Sequence, residues 1–208
     1  MGALTEIIFN IAGAQVSLLE LICTMSGLVC VFLAGRAKVA NFWVGYVYNI
    51  FLFFLFWKQH LVAAMVLQPV AFVINAYGHW RWTHPKEDEK SSEDGRSLKV
   101  SKLSPHELLV AGAAVAFLGT VWALVLRSET ADPLPWLDSY ILMLTFLAQY
   151  LSAQKKWECW LVWLIVNVAN CALYILAGLK FMPVVSLLYL INGIWSLVSW
   201  KRRYDRNA

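Results

Sequence analysis

Hydrophobic positions gather in seven blocks, at about 18–34, 42–57, 61–80, 107–126, 137–153, 158–176 and 183–200, each near the roughly 20 residues a helix needs to cross a bilayer. The polar breaks between them are short except for one, THPKEDEKSSEDGRSLKVSKLS from Thr83 to Ser104. Polar residues inside the blocks are not scattered. At roughly 100° per residue, Trp160, Trp163, Asn167, Asn170 and Tyr174 fall on one side of the sixth block, with aliphatic residues around the rest. Gln68, Phe72, Asn75, His79 and Trp82 do the same on the third, Asp138, Thr145, Gln149 and Ser152 on the fifth, and Tyr189, Asn192, Ser196 and Ser199 on the seventh. On the second, Trp43, Tyr46, Asn49 and Phe53 form a looser stripe.

Composition turns these blocks into membrane spans. Of 208 residues 60% are hydrophobic and 14% charged, and the mean hydropathy is +0.61, which excludes an ordinary soluble domain. The expected fold is an all-α integral membrane protein with seven transmembrane helices. The opening stretch, MGALTEIIFNIAGAQVS, lacks a basic start and reads as a short interfacial segment or an extension of the first helix. The long polar break mixes both charge signs with Ser and Gly, as a solvated linker does.

The chain also repeats itself. An offset of 117 sets Lys38 against Lys155, Trp43 against Trp160, Tyr46 against Trp163 and Asn75 against Asn192. An offset of 118 sets Glu20 against Asp138, Asn49 against Asn167, Tyr77 against Trp195 and Trp82 against Trp200. Two related triplets with one helix between them make a parallel 3+1+3 repeat, because the intervening helix restores the direction of the second triplet. The units are 1–82, a linker at 83–105, a connecting helix at 106–127, a second triplet at 128–200 and a basic tail at 201–208. The connector carries Gly112, Ala116 and Gly119, small residues that permit close helix approach.

Charge sets the expected orientation. All but Lys58, Arg127 and Lys180 of the 17 Lys and Arg residues fall on one side of the seven spans, so that side is cytoplasmic, with the N-terminus outside and the C-terminus inside. The net charge of +4 belongs to these loops, and no exposed basic domain for nucleic acid exists. Cys23, Cys30, Cys159 and Cys171 lack ligand spacing and read as packing residues. No metal or cofactor motif and no nucleophile with a base at helical spacing is present, so the expectation is no enzyme and no cofactor.

What remains is a binding interior. Polar pairs between membrane helices contribute about 0.6 kcal/mol each, and packing needs only a few of them. Amides interleaved with rings on several inward faces suit a flat polar molecule: rings stack on its plane and amides meet its edges. Glu20 and Asp138 lie near one set of helix ends and His79 near the other, leaving the middle without ionisable groups for ion coupling. Ring faces without a fixed cation favour a ligand carrying delocalised positive charge.

These residues carry a resemblance. Trp136, Asp138 and Ser139 in PWLDS, Gln149 in LAQYL, WECWLVWLIVN from Trp157 to Asn167, Asn75 to Trp80 in NAYGHW, and Asn192 make the chain similar to PnuC-type vitamin transporters over most of its length. The resemblance implies a SWEET-like helical fold, a homotrimer in the bacterial inner membrane, and facilitated diffusion of nicotinamide riboside, or alternatively thiamine, drawn inward when a cytoplasmic kinase phosphorylates the vitamin. It also implies that Trp160, Trp163 and Asn167 line a central site with Gln149. Asn75 and Asn192 would then occupy matching places, and Trp43 or Tyr46 would gate. Asn170, Gln68, Asn49 and Thr145, on the same stripes, complete the candidate site. Cys159 stands where family members often have asparagine.

Overall fold

The computed structural model describes residues 7–11, 14–58, 62–91, 95–129, 134–176 and 182–207. Seven helices follow the seven blocks: α1 (Leu18–Gly35), α2 (Ala40–Lys58), α3 (Val62–Thr83), α4 (Pro105–Glu129), α5 (Pro135–Ala153), α6 (Cys159–Leu176) and α7 (Met182–Asn207). Four of them, α1, α2, α4 and most of α7, are long and apolar enough to cross a membrane. Gln68, Pro69, Asn75 and His79 dilute α3. Before α1 the chain differs from expectation: β1 (Ile7–Ile11) and β2 (Ala14–Ser17) pair antiparallel, favoured by the Ile- and Phe-rich run. Ser17 then starts α1 through a capping box. Its hydroxyl accepts from the Glu20 N–H at 3.3 Å, and the Glu20 carboxylate accepts from the Ser17 N–H at 2.8 Å.

Six helices close a ring. α1 packs on α2, α2 on α3, α3 on α5, α5 on α6, α6 on α7 and α7 back on α1, while α4 packs against α5. Leu108, Leu109 and Phe117 of α4 stay exposed, as do Leu161, Ile165 and Val168 of α6 and Leu187, Ile191 and Ile194 of α7. Such aliphatic outer faces suit lipid, which solvates them as well as protein would.

At one end of the bundle, where α1, α3, α5 and α7 finish, two turns have the same backbone. Ala37 (φ 56) and Lys155 (φ 55) are both left-handed. Around them the N–H groups of Arg36, Ala37 and Lys38 donate to the carbonyls of Phe32, Ala34 and Leu33, and those of Gln154, Lys155 and Lys156 to Tyr150, Ser152 and Leu151. These are two Schellman caps, each satisfying carbonyls that a helix end leaves open. The second lies 118 residues after the first, so the geometry pairs Lys38 with Lys156 and Phe42, rather than Trp43, with Trp160. The offset of 117 had drawn those matches only because Lys and Trp residues recur nearby.

Helix junctions repeat the correspondence. The Trp82 indole donates to the carbonyls of Ser152 and Ala153 at 3.1 and 3.2 Å, and the Trp200 indole to the Gly35 carbonyl at 3.0 Å. Phe42 meets Trp82 edge-on at 4.9 Å, as Trp160 meets Trp200 at 5.6 Å. Phe42, Trp82, Trp160 and Trp200 form one buried aromatic cluster. Leu98 and Val100 complete it, which corrects the expectation of a wholly solvated linker. The linker backbone pairs with the second turn: Ser101 N–H to Lys155 O at 3.1 Å, and Trp157 N–H to Ser101 O at 3.0 Å.

Candidate functional site

Each helix of the ring turns a protected face away from its exposed one, and most polar stripes lie on it. On α6, Trp160, Trp163, Asn167 and Asn170 sit opposite the exposed Leu161, Ile165 and Val168. On α7, Tyr189, Asn192 and Ser196 sit opposite Leu187, Ile191 and Ile194. The physical cause is helical period: a stripe of amides costs free energy against hydrocarbon, so the helix rotates it inward.

Depth along the helix then separates residues that share a stripe. Trp160, 1% exposed, is wedged among Trp200, Cys159 and the other rings of the aromatic cluster, and its indole N–H has no partner among the described residues. It supports the end of the bundle. Trp163, one turn further in, is partly buried and packs against that cluster from its inner side. Asn167 donates one N–H to the Trp163 backbone carbonyl at 2.8 Å, which restrains the amide and leaves its oxygen as an acceptor. Asn170, a turn beyond, and Gln149 on α5 are partly buried and make no side-chain hydrogen bond among the described residues. Thr145 bonds back to the Ile141 carbonyl at 2.8 Å, a local use of its hydroxyl.

In the first half, Asn75 spans from α3 to the Phe42 carbonyl at 3.0 Å and packs against Gly45, where an added Cβ would lie 2.7 Å from its oxygen. Asn192 spans from α7 to a different neighbour, the Val31 carbonyl of α1 at 3.3 Å. Asn49 is 8% exposed on the buried side of α2. Gln68 is partly buried near the far end of α3. Trp43 departs from the sequence reading: it is 63% exposed on the side of α2 opposite Gly45 and Asn49. There it joins Tyr46, Phe72 and His79, with the Tyr46 hydroxyl 3.1 Å from His79 Nδ1. A loose stripe of four positions left the direction of α2 ambiguous by nearly half a turn, and burial of Phe42 and Gly45 decided it.

Two residues emerge from the structure that the stripes had not assigned to the site. Gly27 of α1 makes room for the Tyr189 hydroxyl, which lies 2.7 Å from where a Cβ would be, and for the Tyr48 ring at 3.2 Å. Tyr189 and Asn192 also supply the polar edge of an open groove of about 300 Å³ between α1 and α7 on the outer side of the bundle, where Val29, Phe32 and Leu188 are exposed. The signal available in sequence was the spacing Leu19, Cys23, Gly27 along the buried face of α1, with glycine where a ring must approach. Among the described residues no cluster of His, Cys, Asp and Glu could hold a metal.

Comparison with known proteins agrees with this architecture. Nicotinamide riboside transporter PnuC of Escherichia coli K12 is 29% identical over 208 residues, spanning 90% of this chain and 85% of that protein. Riboflavin/roseoflavin transporter RibM of Streptomyces davaonensis is 26% identical, spanning 91% of this chain and 87% of its own length. A crystal structure of the vitamin B3 transporter PnuC superposes with a TM-score of 0.73 at 20% identity, covering 91% of this chain and 83% of that one, so the fold is shared. The sequence model of one family, described as nicotinamide mononucleotide transporter, matches residues 17–202, and the chain belongs to that family of PnuC-type multi-pass membrane transporters.

Proposed function

We propose that this protein takes up nicotinamide riboside across the bacterial inner membrane by facilitated diffusion. The observation that carries the reading is the ring of six helices whose protected faces hold tyrosine, tryptophan and amide side chains while charged residues stay at the helix ends. A pyridinium nucleoside needs that combination: a ring face for its cation, worth about 0.5–2 kcal/mol, and amides for its carboxamide and ribose. Trp163 is the stacking surface, and Asn167, Asn170, Gln149, Asn49, Asn192 and Tyr189 are the polar contacts. Trp160 holds Trp163 in place from the end of the bundle, and Gln68 and Thr145 border the path. Trp43 and Tyr46 contribute from outside the ring.

A parallel 3+1+3, SWEET-like repeat is supported by the two matching Schellman caps and by the reciprocal indole bonds, Trp82 to Ala153 and Trp200 to Gly35, which cross between triplets in both directions. With α4 as connector, the basic ends of all helices face the cytoplasm, the N-terminus lies outside, and trapping by a cytoplasmic kinase makes the flux inward. The working assembly is a homotrimer. No gradient coupling is expected, because the interior stripes carry no titratable relay.

Thiamine, also flat and cationic, is the alternative cargo. Direct binding to purified protein, followed by tryptophan fluorescence, separates them: nicotinamide riboside is expected to bind at least about tenfold tighter than thiamine or riboflavin, a difference of about 1.4 kcal/mol. Tighter binding of thiamine overturns the choice of cargo, and tighter riboflavin places the chain with RibM instead.

A further inference from the structure

Where α1 and α7 close the ring, the outer surface of the bundle is furrowed. The two helices run side by side in the same direction: Gly27 meets the Tyr189 hydroxyl, the Val31 carbonyl accepts from Asn192 at 3.3 Å, and Gly35 meets Ser196. Both glycines are buried, and the longer side chains beside them form the two banks of the open groove. Val29 and Phe32 of α1 are 43% and 47% exposed, and Leu188 of α7 is 48% exposed. Met25 and Ile191, also exposed, extend the apolar surface along each helix. Both helices are long and apolar enough to cross a membrane, so the groove faces hydrocarbon.

The groove ends on a cation. Arg36 caps α1, and its guanidinium lies 3.7 Å from the centre of the Phe32 ring, the same ring that walls the groove. It also lies 5.1 Å from the ring centre of Trp195 on α7, itself 45% exposed. Each bank therefore brings one ring to the guanidinium, which holds its planar fork at the mouth of the groove. Seven helical steps, about 10 Å at 1.5 Å each, separate Val29 from Arg36.

An apolar furrow topped by a fixed guanidinium at the basic end matches the two parts of a phospholipid. The acyl chain lies along Phe32 and Val29, and the phosphate accepts both arms of the Arg36 fork. A zwitterionic head carries an ammonium that competes for its own phosphate, whereas an anionic head does not. An apolar face of a second copy fits less well, because it would press the exposed guanidinium against a surface with no charge to pair it. We propose that the α1–α7 groove binds one anionic phospholipid from the leaflet at the basic end. The lipid then braces the seam where the two ends of the chain close the ring of helices. Nothing in this site depends on the identity of the cargo.

Full-length protein in detergent, titrated with phosphatidylglycerol or with phosphatidylcholine of the same chain length and followed by native mass spectrometry, tests it. Phosphatidylglycerol is expected to fill one site per chain about tenfold more tightly than phosphatidylcholine, as a charge-assisted contact does, and to raise the unfolding temperature. Arg36→Gln is expected to bring the two lipids level, and Arg36→Lys, which keeps the charge without the fork, to retain part of the preference. Val29→Trp, at an exposed position that folding tolerates, fills the groove and is expected to weaken both lipids severalfold. Lys38→Gln, exposed on the same turn but not lining the groove, is expected to leave the preference intact. No preference in the parent, or a preference that survives Arg36→Gln, overturns the site. Equal loss in Lys38→Gln and Arg36→Gln reduces it to a general attraction of the basic end and overturns it too. Lipid binding unaltered by Val29→Trp also refutes it, and a simultaneous change in oligomer mass assigns the groove to a second copy instead.

Discussion

The turns at Arg36–Lys38 and Gln154–Lys156 share the three backbone hydrogen bonds of a Schellman cap and a left-handed residue at the same place, yet the linker backbone bonds to the second and, among the described residues, not to the first. Around the second, Lys156 donates to the Lys102 carbonyl at 3.0 Å and the Leu103 N–H donates to Glu158 at 3.0 Å, so linker and turn behave as one piece. Around the first, Arg36 and Lys38 line a polar hollow. Backbone geometry follows from the helix ends that α1 and α5 must both cap, whereas the side chains answer to their neighbours. The linker hydrogen-bonds to the second turn, whereas it stands across a hollow from the first. The first turn keeps Arg36 and Lys38 exposed.

The helix junctions show the same divergence by exchange of size. Gly78 of α3 lies against Ala153, and Gly35 of α1 against Ser196, so the small and the larger partner have swapped sides 118 residues apart. Each junction stays packed because the summed volume is kept.

The strongest challenge to this equivalence is loss of either latch. Trp82→Ala and Trp200→Ala are each expected to destabilise the protein by about 3–5 kcal/mol, as truncation of a buried tryptophan does, read by thermal unfolding in detergent. Losses differing by more than about 3 kcal/mol, beyond the spread that context gives at fixed chemistry, would separate the junctions energetically. Next in size, Gly35→Ala drives a methyl into Ser196 and is expected to cost about 1–3 kcal/mol. Adding Ser196→Gly imports the arrangement of Ala153 with Gly78 and is expected to restore most of it; a double variant no better than the single breaks the correspondence.

A smaller effect tests the linker. Arg81 holds Glu89 by two hydrogen bonds of 2.8 and 2.9 Å, and that bond together with nearby positive charge lowers the Glu89 pKa to about 2. A carboxyl depressed on folding adds stability above its ordinary value near 4.5 and loses it as pH falls toward 2. Hydrogen exchange at 87–91 is therefore expected to quicken over that window, and Arg81→Gln to abolish the pH dependence. Smallest, Ala37→Gly relieves a left-handed alanine and is expected to stabilise by up to about 1 kcal/mol. Lys155→Gly is expected to do the reverse, since it also removes the bond to Leu98 and the contact with Trp82. Equal effects at both turns would contradict the asymmetry.

The seven helices were legible in sequence because hydrocarbon and backbone satisfaction impose both length and composition on each span. So were the faces of α6 and α7, where amides and aliphatics separate cleanly. Three things escaped. Rotation of α2 was hidden because Trp43 and Phe42 are both aromatic and only packing tells the inward one. The role of Trp160 depends on depth along the axis, which helical period does not encode. The linker's Leu98 and Val100 alternate with Ser97, Lys99 and Ser101, a period-2 signal for one buried side that the surrounding charges masked.

The central claim is that Trp163 and Asn167 face a passage for the cargo while the opposite side of the same helix faces lipid. Initial uptake of labelled nicotinamide riboside into vesicles, normalised to folded protein, tests it for Trp163→Ala and Asn167→Ala beside Ile165→Ala and Val168→Ala. The account predicts a loss of at least about tenfold, equivalent to about 1.4 kcal/mol, for the first two and little change for the second pair. Uptake preserved in Trp163→Ala and Asn167→Ala, or lost equally in all four, would contradict it.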